Sequence, residues 1–248
     1  MLDSTRSKPT AALYAGVDGC RGGWLVVIAR WAKNSRLGDL QQIVARPDFS
    51  QVLNLVSACS QVCVDMPIGF FDRAQVGGRP CDISARRLLP RGRKSSIFSP
   101  PARAALYATE YRDAVARNGM GMSKESFNIL PKIRDLDRVI TPVLQARCRE
   151  AHPELAFQRR LGIPLKHAKR TAAGAEERQA ILRRIYRHAD LRRALEHAAP
   201  VPLRVAADDV RDALILVSVA RDIDRGRSEC AGAAEPKDSR GLSMQIWF

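Results

Sequence analysis

The chain opens with short apolar runs of strand length, separated by polar or glycine-rich turns. Residues 12–17 form one run, Asp18 follows it, and the segment 19–23 contains three glycines before the next apolar run at 24–29. Glycine tolerates the positive φ of tight turns, so this pattern predicts a hairpin of two antiparallel strands. A third strand is predicted over 40–45, after a polar turn.

A helix and a fourth strand are predicted next. Residues 49–58 fit a helix, with Asp48 or Ser50 as the capping residue. Residues 62–65 form another short apolar run, which ends in Asp65. A helical connection lets strands one and four lie side by side and parallel. Because sites in open α/β sheets form beyond the carboxyl ends of parallel strands, we expect the acids at these two strand ends to face each other.

The rest of the chain is predicted to be mostly helical around one insertion. We expect a disordered tail over 1–11 and a single domain over 12–248, with an inserted basic and helical region at about 70–145. Further predicted elements are helices at 103–118 and 132–147, one long helix or two short ones at 175–197, strands at 147–152 and 242–248, and a polar linker at 226–240. The fold class is therefore α/β, with a mixed sheet flanked by helices.

A second group of acids stands at the start of a predicted helix near the C-terminus. In the stretch 206–220, Asp209 and Asp212 are three residues apart, which makes them neighbours on a helix surface. Capping and the helix dipole favour Asp208 and Asp209 at a helix start. Capping explains Asp212 less well, because it lies among apolar neighbours past the first turn. A helix of this kind can place carboxylates over the edge of a sheet.

Acids that converge on one sheet edge predict a site for divalent cations. Carboxylates repel one another unless a cation binds them, and Mg²⁺ and Mn²⁺ prefer oxygen ligands. The predicted catalytic and metal-binding residues, for one or two such ions, are Asp18, Asp65, Asp209 and Asp212. As well as Asp209, Asp18 and Asp65 have a structural explanation, since Asp18-Gly19 suits a hairpin turn and Asp65 suits a cap before a proline.

Four further side chains are possible additions to this site. If 147–152 is a strand, Glu150 and His152 share one of its faces. Either Glu150 or Glu154 can then add a ligand or position a water molecule, although all three residues also suit a surface. Asp208 is the fourth, and its alternative role is to cap its helix.

The charge of the chain favours a polyanionic partner. The net charge is +15, and 33 of the 41 basic residues are arginine. Nucleic acid, either DNA or RNA, is the leading candidate for this partner. The alternative explanation is that the excess of arginine over lysine reflects an arginine-rich proteome. The candidate phosphate-binding residues are Arg21, Arg93, Lys94, Lys132 and Lys169.

Other features narrow the class of protein. The six cysteines form no C-x-x-C pair and no zinc spacing with the four histidines, so free thiols are expected. Neither an apolar leader nor a run of about 20 apolar residues is present. We therefore expect a cytoplasmic protein without a membrane span. There is also no P-loop and no G-x-G-x-x-G fingerprint.

Six motifs together resemble the family known as domain of unknown function 429. They are GVDGCRGGW at 16–24, VDMPIGF at 64–70, RPCDISARRLLPRGRKSSIFSPPAR at 79–103, PKIRDLD at 131–137, EAHPE at 150–154 and AADDVRDAL at 206–214. Their combination is specific, and the resemblance extends from about residue 13 to the C-terminus. The family is described as predicted nucleases of the ribonuclease H-like fold.

The resemblance implies a mixed five-stranded sheet of order 3-2-1-4-5. In ribonuclease H-like nucleases one acid ends the first strand and another ends the fourth, which Asp18 and Asp65 match here. Acids on the final helix correspond to Asp209 and Asp212, with a spacing similar to that of Holliday-junction resolvases. Ribonuclease H itself has a glutamate on the helix after the third strand, whereas the helix here offers only Asp48 at its start.

The leading functional hypothesis is a metal-dependent nuclease that hydrolyses phosphodiester bonds of DNA or RNA. Two alternatives stay open. The first is a nucleic-acid-binding protein of the same fold without catalysis. The second is an ATP-dependent phosphotransferase of the actin and sugar-kinase superfamily, which shares this sheet and has an acid and glycines in its first hairpin.

Overall fold

The computed structural model describes residues 11–32, 35–196, 205–232 and 236–248. The tail predicted over 1–11 lies outside the described residues except for Ala11, which begins the first strand. The helices and strands run in the order β1 (Ala11–Cys20), β2 (Gly23–Ala32), β3 (Asp39–Arg46), α1 (Phe49–Leu55), β4 (Gln61–Val64), α2 (Pro80–Leu88), α3 (Tyr111–Asn118), α4 (Lys124–Asn128), α5 (Leu130–Val139), α6 (Pro142–Gln145), β5 (Cys148–Glu150), α7 (Pro153–Leu161), α8 (Ala172–Leu182), α9 (His188–Glu196), α10 (Ala207–Asp224), β6 (Cys230–Ala231) and β7 (Ile246–Trp247).

The first hairpin is tighter than its sequence predicts. β1 and β2 pair as far as Cys20 and Gly23, so only Arg21 and Gly22 form the turn. Gly22 has a φ of 90° at the second position of this turn, where a type II turn requires a positive φ and where glycine adopts it without strain. The turn predicted over 19–23 is therefore wrong at its ends, and β1 continues two residues beyond Asp18.

The sheet has the predicted order, β3-β2-β1-β4-β5. β1 is antiparallel to β2 and parallel to β4, while β4 is parallel to β5. Helix α1 makes the crossover that brings β4 beside β1, and the Asp48 side chain caps it by accepting a hydrogen bond from the Gln51 amide at 2.9 Å. The predictions of a mixed five-stranded sheet and of this cap are confirmed.

Helices cover the two faces of the sheet in separate apolar cores. On one face, Leu25 and Val27 of β2 pack in a cluster with Leu214 and Val217 of α10. On the other face, α1 and α5 pack against the alternate residues of the strands. Alternation of side chains between the faces of a strand produces this division. Cys20, Cys59, Cys63, Cys81 and Cys148 are buried as free thiols.

Several predicted elements have different bounds in the structure. The helix predicted over 103–118 is a 3₁₀ turn at Arg103–Ala105 followed by α3, and 132–147 divides into α5 and α6 before a proline. The described part of 175–197 forms two helices, α8 and α9, which is one of the two predicted alternatives, and α8 begins earlier, at Ala172. The terminal strand is reduced to β7, which pairs with β6 inside the predicted linker. Among the described residues, no helix is long and apolar enough to cross a membrane.

Candidate functional site

Two aspartates lie next to each other at the carboxyl ends of the central parallel strands. Asp18 lies near the end of β1, and Asp65 directly follows β4. The Asp65 amide donates a hydrogen bond to the Val17 carbonyl at 2.9 Å, which fixes the two positions side by side. Asp18 is only 8% exposed, so its carboxylate is in a poorly solvated environment.

Helix α10 brings a third aspartate to the same place because it lies unusually close to β1. A Cβ atom on Gly16 would lie 2.0 Å from the Ala213 carbonyl oxygen and 2.7 Å from the Val217 nitrogen. Glycine is therefore required for this close approach. Asp212 precedes Ala213, is 3% exposed, and faces the carboxyl ends of β1 and β4.

The electrostatics of these acids show that they form one group. Burial raises the pKa of Asp18 well above its usual range, and the charges of Asp65, Asp212 and Asp209 raise it further. Burial also raises the pKa values of Asp65 and Asp212. Repulsion of this kind among buried carboxylates favours the binding of a cation or a proton.

A lysine supplies one positive charge to the group. The Lys169 ammonium lies 2.9 Å from Asp212 Oδ2 and 3.9 Å from Asp208 Oδ2. Burial alone would lower the pKa of Lys169, but Asp212, Asp65 and Asp18 raise it above its ordinary value. The side chain is 43% exposed, so it reaches the carboxylates from the solvent side. Sequence reasoning assigned Lys169 to phosphate, without its place beside Asp212.

The other two acids of α10 differ from each other. Asp209 accepts a hydrogen bond from the Ala206 amide at 2.9 Å, so its carboxylate holds the first turn of the helix. Burial raises the pKa of Asp209, and the Asp208 charge raises it further. Asp208 does not cap the helix, since Ala206 occupies the capping position. Its carboxylate instead lies in the outer part of the group, near Lys169.

The chemistry of the donors fits a hard divalent cation, but they do not form a complete cage. All the acids present oxygen ligands, which Mg²⁺ and Mn²⁺ prefer. Within the described ranges, no three histidine, cysteine, aspartate or glutamate side chains are placed to hold one metal ion. Mg²⁺ commonly keeps several waters and binds through one or two carboxylates plus substrate phosphates. The residues therefore fit an ion whose coordination is completed by water and substrate.

Glu150 lies in a buried ion-pair network. It accepts hydrogen bonds from Arg79 Nη2 at 2.6 Å and Nη1 at 2.8 Å, and from the Ile68 amide at 2.7 Å. Asp82 also pairs with Arg79, at 2.7 Å. Burial raises the pKa of Glu150 to about 7, although the Arg79 charge opposes this. Sequence reasoning missed this network, whose only local signal is the spacing of Arg79 and Asp82.

Glu154 and His152 line the site from the other side. Glu154 pairs with Arg178 at 2.5 Å and with Arg93 at 3.0 Å. His152 lies beyond β5 and precedes α7, so the prediction that it shares a strand face with Glu150 is wrong. Its Nε2 lies 3.2 Å from the Ser96 carbonyl, while Nδ1 is buried without a hydrogen-bond partner among the described residues. Burial lowers the pKa of His152.

The remaining basic candidates divide between the two sides of the site. The Lys132 ammonium donates to the Gly23 carbonyl at 2.5 Å and lies over the Trp24 ring. Arg21 is exposed in the hairpin turn, and Lys94 is exposed in the 3₁₀ turn at Arg91–Ser96. Arg93 is held by Glu154, as described above.

Two cavities meet at the carboxylates. The inner cavity has a volume of about 310 Å³ and includes His152, Lys169 and Asp212 in its walls. The hairpin cavity has a volume of about 780 Å³ and includes Asp18, Arg21 and Lys132 in its walls. Asp65 contributes to both linings, so a molecule in either cavity can reach the acidic group.

Comparison with known proteins places the chain in a family. Residues 16–237 match the model of the family described as protein of unknown function DUF429. The chain belongs to the DUF429 family. Comparison with curated proteins and with solved structures gave no match. The part that matches DUF429 contains every acid of the site and Lys169. It also contains all the residues that line the two cavities except Ile246.

Proposed function

We propose that this DUF429 protein is a metal-dependent nuclease of the ribonuclease H-like fold that hydrolyses phosphodiester bonds in DNA or RNA. The observation that carries the proposal is the convergence of Asp18, Asp65 and Asp212 from three different elements into one buried, mutually repelling group. The sheet order supports it, because it agrees with the order that the ribonuclease H-like resemblance implies. The net charge of +15 supports a polyanionic substrate.

In this mechanism, Asp18 and Asp65 would hold Mg²⁺ or Mn²⁺, and Asp212 and Asp209 would complete the acidic group. Such an ion, when bound, lowers the pKa of a water molecule and neutralises charge that develops on the phosphate. In the reaction a water molecule loses a proton to solvent as its oxygen bonds to phosphorus, the P–O ester bond breaks, and the departing oxygen takes up a proton from solvent.

Lys169 has a second role in this mechanism. Its ammonium is partly exposed and has three donors, of which Asp212 uses one. The remaining donors can bind a non-bridging phosphate oxygen, where charge increases as the ester breaks. Lys169 therefore links the buried aspartate to the substrate, in agreement with its predicted contact with phosphate.

The test is a cleavage assay with Mg²⁺ or Mn²⁺ on labelled single strands, duplexes, hybrids and branched junctions. We expect cleavage that requires the divalent cation and falls at least about 100-fold in Asp65→Asn, as is typical when an essential electrostatic group is removed. Circular dichroism and the unfolding temperature establish that the variant is folded. Absence of cation-dependent cleavage on all four substrates, or full activity of Asp65→Asn, would contradict the proposal.

One observation favours a second candidate, a nucleic-acid-binding protein of this fold without catalysis. The Lys169 ammonium already supplies the acidic group with a positive charge, 2.9 Å from Asp212 Oδ2. Such a protein would bind nucleic acid with an affinity that falls steeply with salt, without turnover, and Asp65→Asn would leave this binding unchanged.

A further inference from the structure

The two cavities lie on either side of the acidic group and share part of their walls. Asp65, Met66 and Ile129 contribute to both linings. Volumes of about 310 and 780 Å³ fall near the roughly 300–1,000 Å³ of sites that enclose small organic ligands. Each cavity therefore suits one or a few nucleotide units, with Asp65 between them.

The burial of the acids restricts what can reach them. Asp18 and Asp212 are 8% and 3% exposed, so a phosphate must enter between the cavity walls to approach either carboxylate. The larger cavity, of about 780 Å³, is equivalent to a cube roughly 9 Å on a side, which is narrower than the major groove of a duplex alone, about 12 Å. A single strand can bend its backbone into such a place and turn its bases outward into pockets.

The walls of the two cavities differ in chemistry. The inner cavity combines apolar walls, which include Ile97, Phe98 and Ile246, with Ser96, His152 and charged side chains that are mostly paired with opposite charges. Apolar and aromatic walls with a few polar groups are suited to a nucleobase. The hairpin cavity instead presents Arg21 and Lys132 beside glycine backbone. Four acids also line it, Asp18, Asp65, Glu125 and Asp135, so it suits a sugar-phosphate chain only when a cation lies beside these acids.

The charges predict that this binding needs a divalent cation. Most charged side chains of the inner cavity are already paired with opposite charges: Arg79 with Asp82 and Glu150, Glu154 with Arg93 and Arg178, and Lys169 with Asp212. Among the described residues, Asp18 and Asp65 form no ion pair and would repel a phosphate. A divalent cation bound between them would remove this repulsion and allow a strand to cross.

We propose that the substrate is a single nucleic-acid strand that crosses the acidic group, with a base in the inner cavity and its backbone in the hairpin cavity. This inference rests on the proposed function and names the substrate class of that site. The two strands at the end of a duplex would have to separate before one of them could enter the cavities.

The first experiment measures binding without turnover on the unmodified chain. A fluorescein-labelled oligothymidylate of about twelve nucleotides, an oligouridylate of the same length, and the matched duplexes are titrated in Ca²⁺ and in EDTA. We expect the single strands to bind at least about tenfold more tightly in Ca²⁺ than in EDTA, and at least about tenfold more tightly than the duplexes. Equal affinity for strand and duplex, or no effect of Ca²⁺, would overturn the inference.

The second experiment blocks the inner cavity. Ser96 lies at the mouth of this cavity, whereas its exposed neighbour Ser95 does not contribute to the lining. Ser96→Trp should weaken strand binding at least about fivefold, and the matched control Ser95→Trp should leave it unchanged. If both variants are folded and bind equally, the inner cavity does not hold the strand.

The two proposals fail in different ways. Cation-dependent cleavage of duplex at the same rate as single strand would overturn this inference while the nuclease function stands. Failure of all cleavage, together with strand-selective and Ca²⁺-dependent binding, would overturn the nuclease function and support the assigned strand path. If Ser96→Trp does not fold, a length series of oligothymidylates on the unmodified chain decides, because affinity should rise with length until both cavities are filled.

Discussion

Gly16 is predicted to control how closely α10, and with it Asp212, lies against the sheet. In Gly16→Ala, the new methyl group would lie 2.0 Å from the Ala213 carbonyl oxygen, where ordinary contact begins at 3.4 Å. Strand and helix must then separate by roughly 1.4 Å, because both contacting atoms belong to the helix backbone and cannot rotate away.

The expected cost is visible in both stability and activity. Overpacking of a well-packed core typically costs about 1–3 kcal/mol in the free energy of unfolding, which urea denaturation measures. A displacement of about 1 Å at a reacting group can lower a rate about 100-fold, which single-turnover cleavage measures under conditions where the variant is folded.

The matched control is Gly121→Ala, since a methyl group there would meet no atom within 4 Å. Its stability and cleavage rate should stay near those of the unmodified chain. If Gly16→Ala is as stable and as active as Gly121→Ala, the close approach of α10 to β1 does not position the site.

Three further predictions concern charged groups. Lys169→Met should raise the pKa of Asp212, because the Lys169 charge and hydrogen bond lower it. Carbon-13 NMR titration of the Asp212 carboxyl group measures this pKa, and an unchanged value would contradict the pairing. Arg79→Met should destabilise the fold by about 3–5 kcal/mol, because it leaves the buried acids Asp82 and Glu150 unpaired. The control Arg117→Met removes an exposed ion pair and should change stability little. Similar urea midpoints for the two variants would refute this prediction. The acids of the site have raised pKa values in the folded state, so their contribution to stability is full below about pH 4 and is lost as pH rises through the folded values. Stability without divalent cation should therefore fall over this pH range, and the fall should be smaller in Asp65→Asn; an identical pH profile would count against the shared site.

The strand-end acids were predictable because sheet topology places them together. The apolar runs and the intervening helix indicated that β1 and β4 are parallel neighbours, which put Asp18 and Asp65 at one edge. The exact end of β1 was missed, because the pairing of Gly19 with Trp24 depends on a two-residue turn at Gly22. A glycine-rich segment allows several turns, and the sequence does not distinguish them.

Contacts between distant segments were not predictable from local patterns. Lys169 and Asp212 are 43 residues apart, and Arg79 and Glu150 are 71 apart. Each pair depends on how helices pack on the sheet, which periodicity does not determine. Glu150, which the sequence suggested as a possible metal ligand, is therefore bound by Arg79 instead.

Anomalous diffraction from crystals grown with Mn²⁺ tests the central claim most directly. The account predicts an anomalous peak in contact with carboxylate oxygens of Asp18 and Asp65, about 2–2.5 Å from each, with Asp212 beside it. A structure in which these carboxylates lie more than about 8 Å apart, with no shared ion, would contradict it.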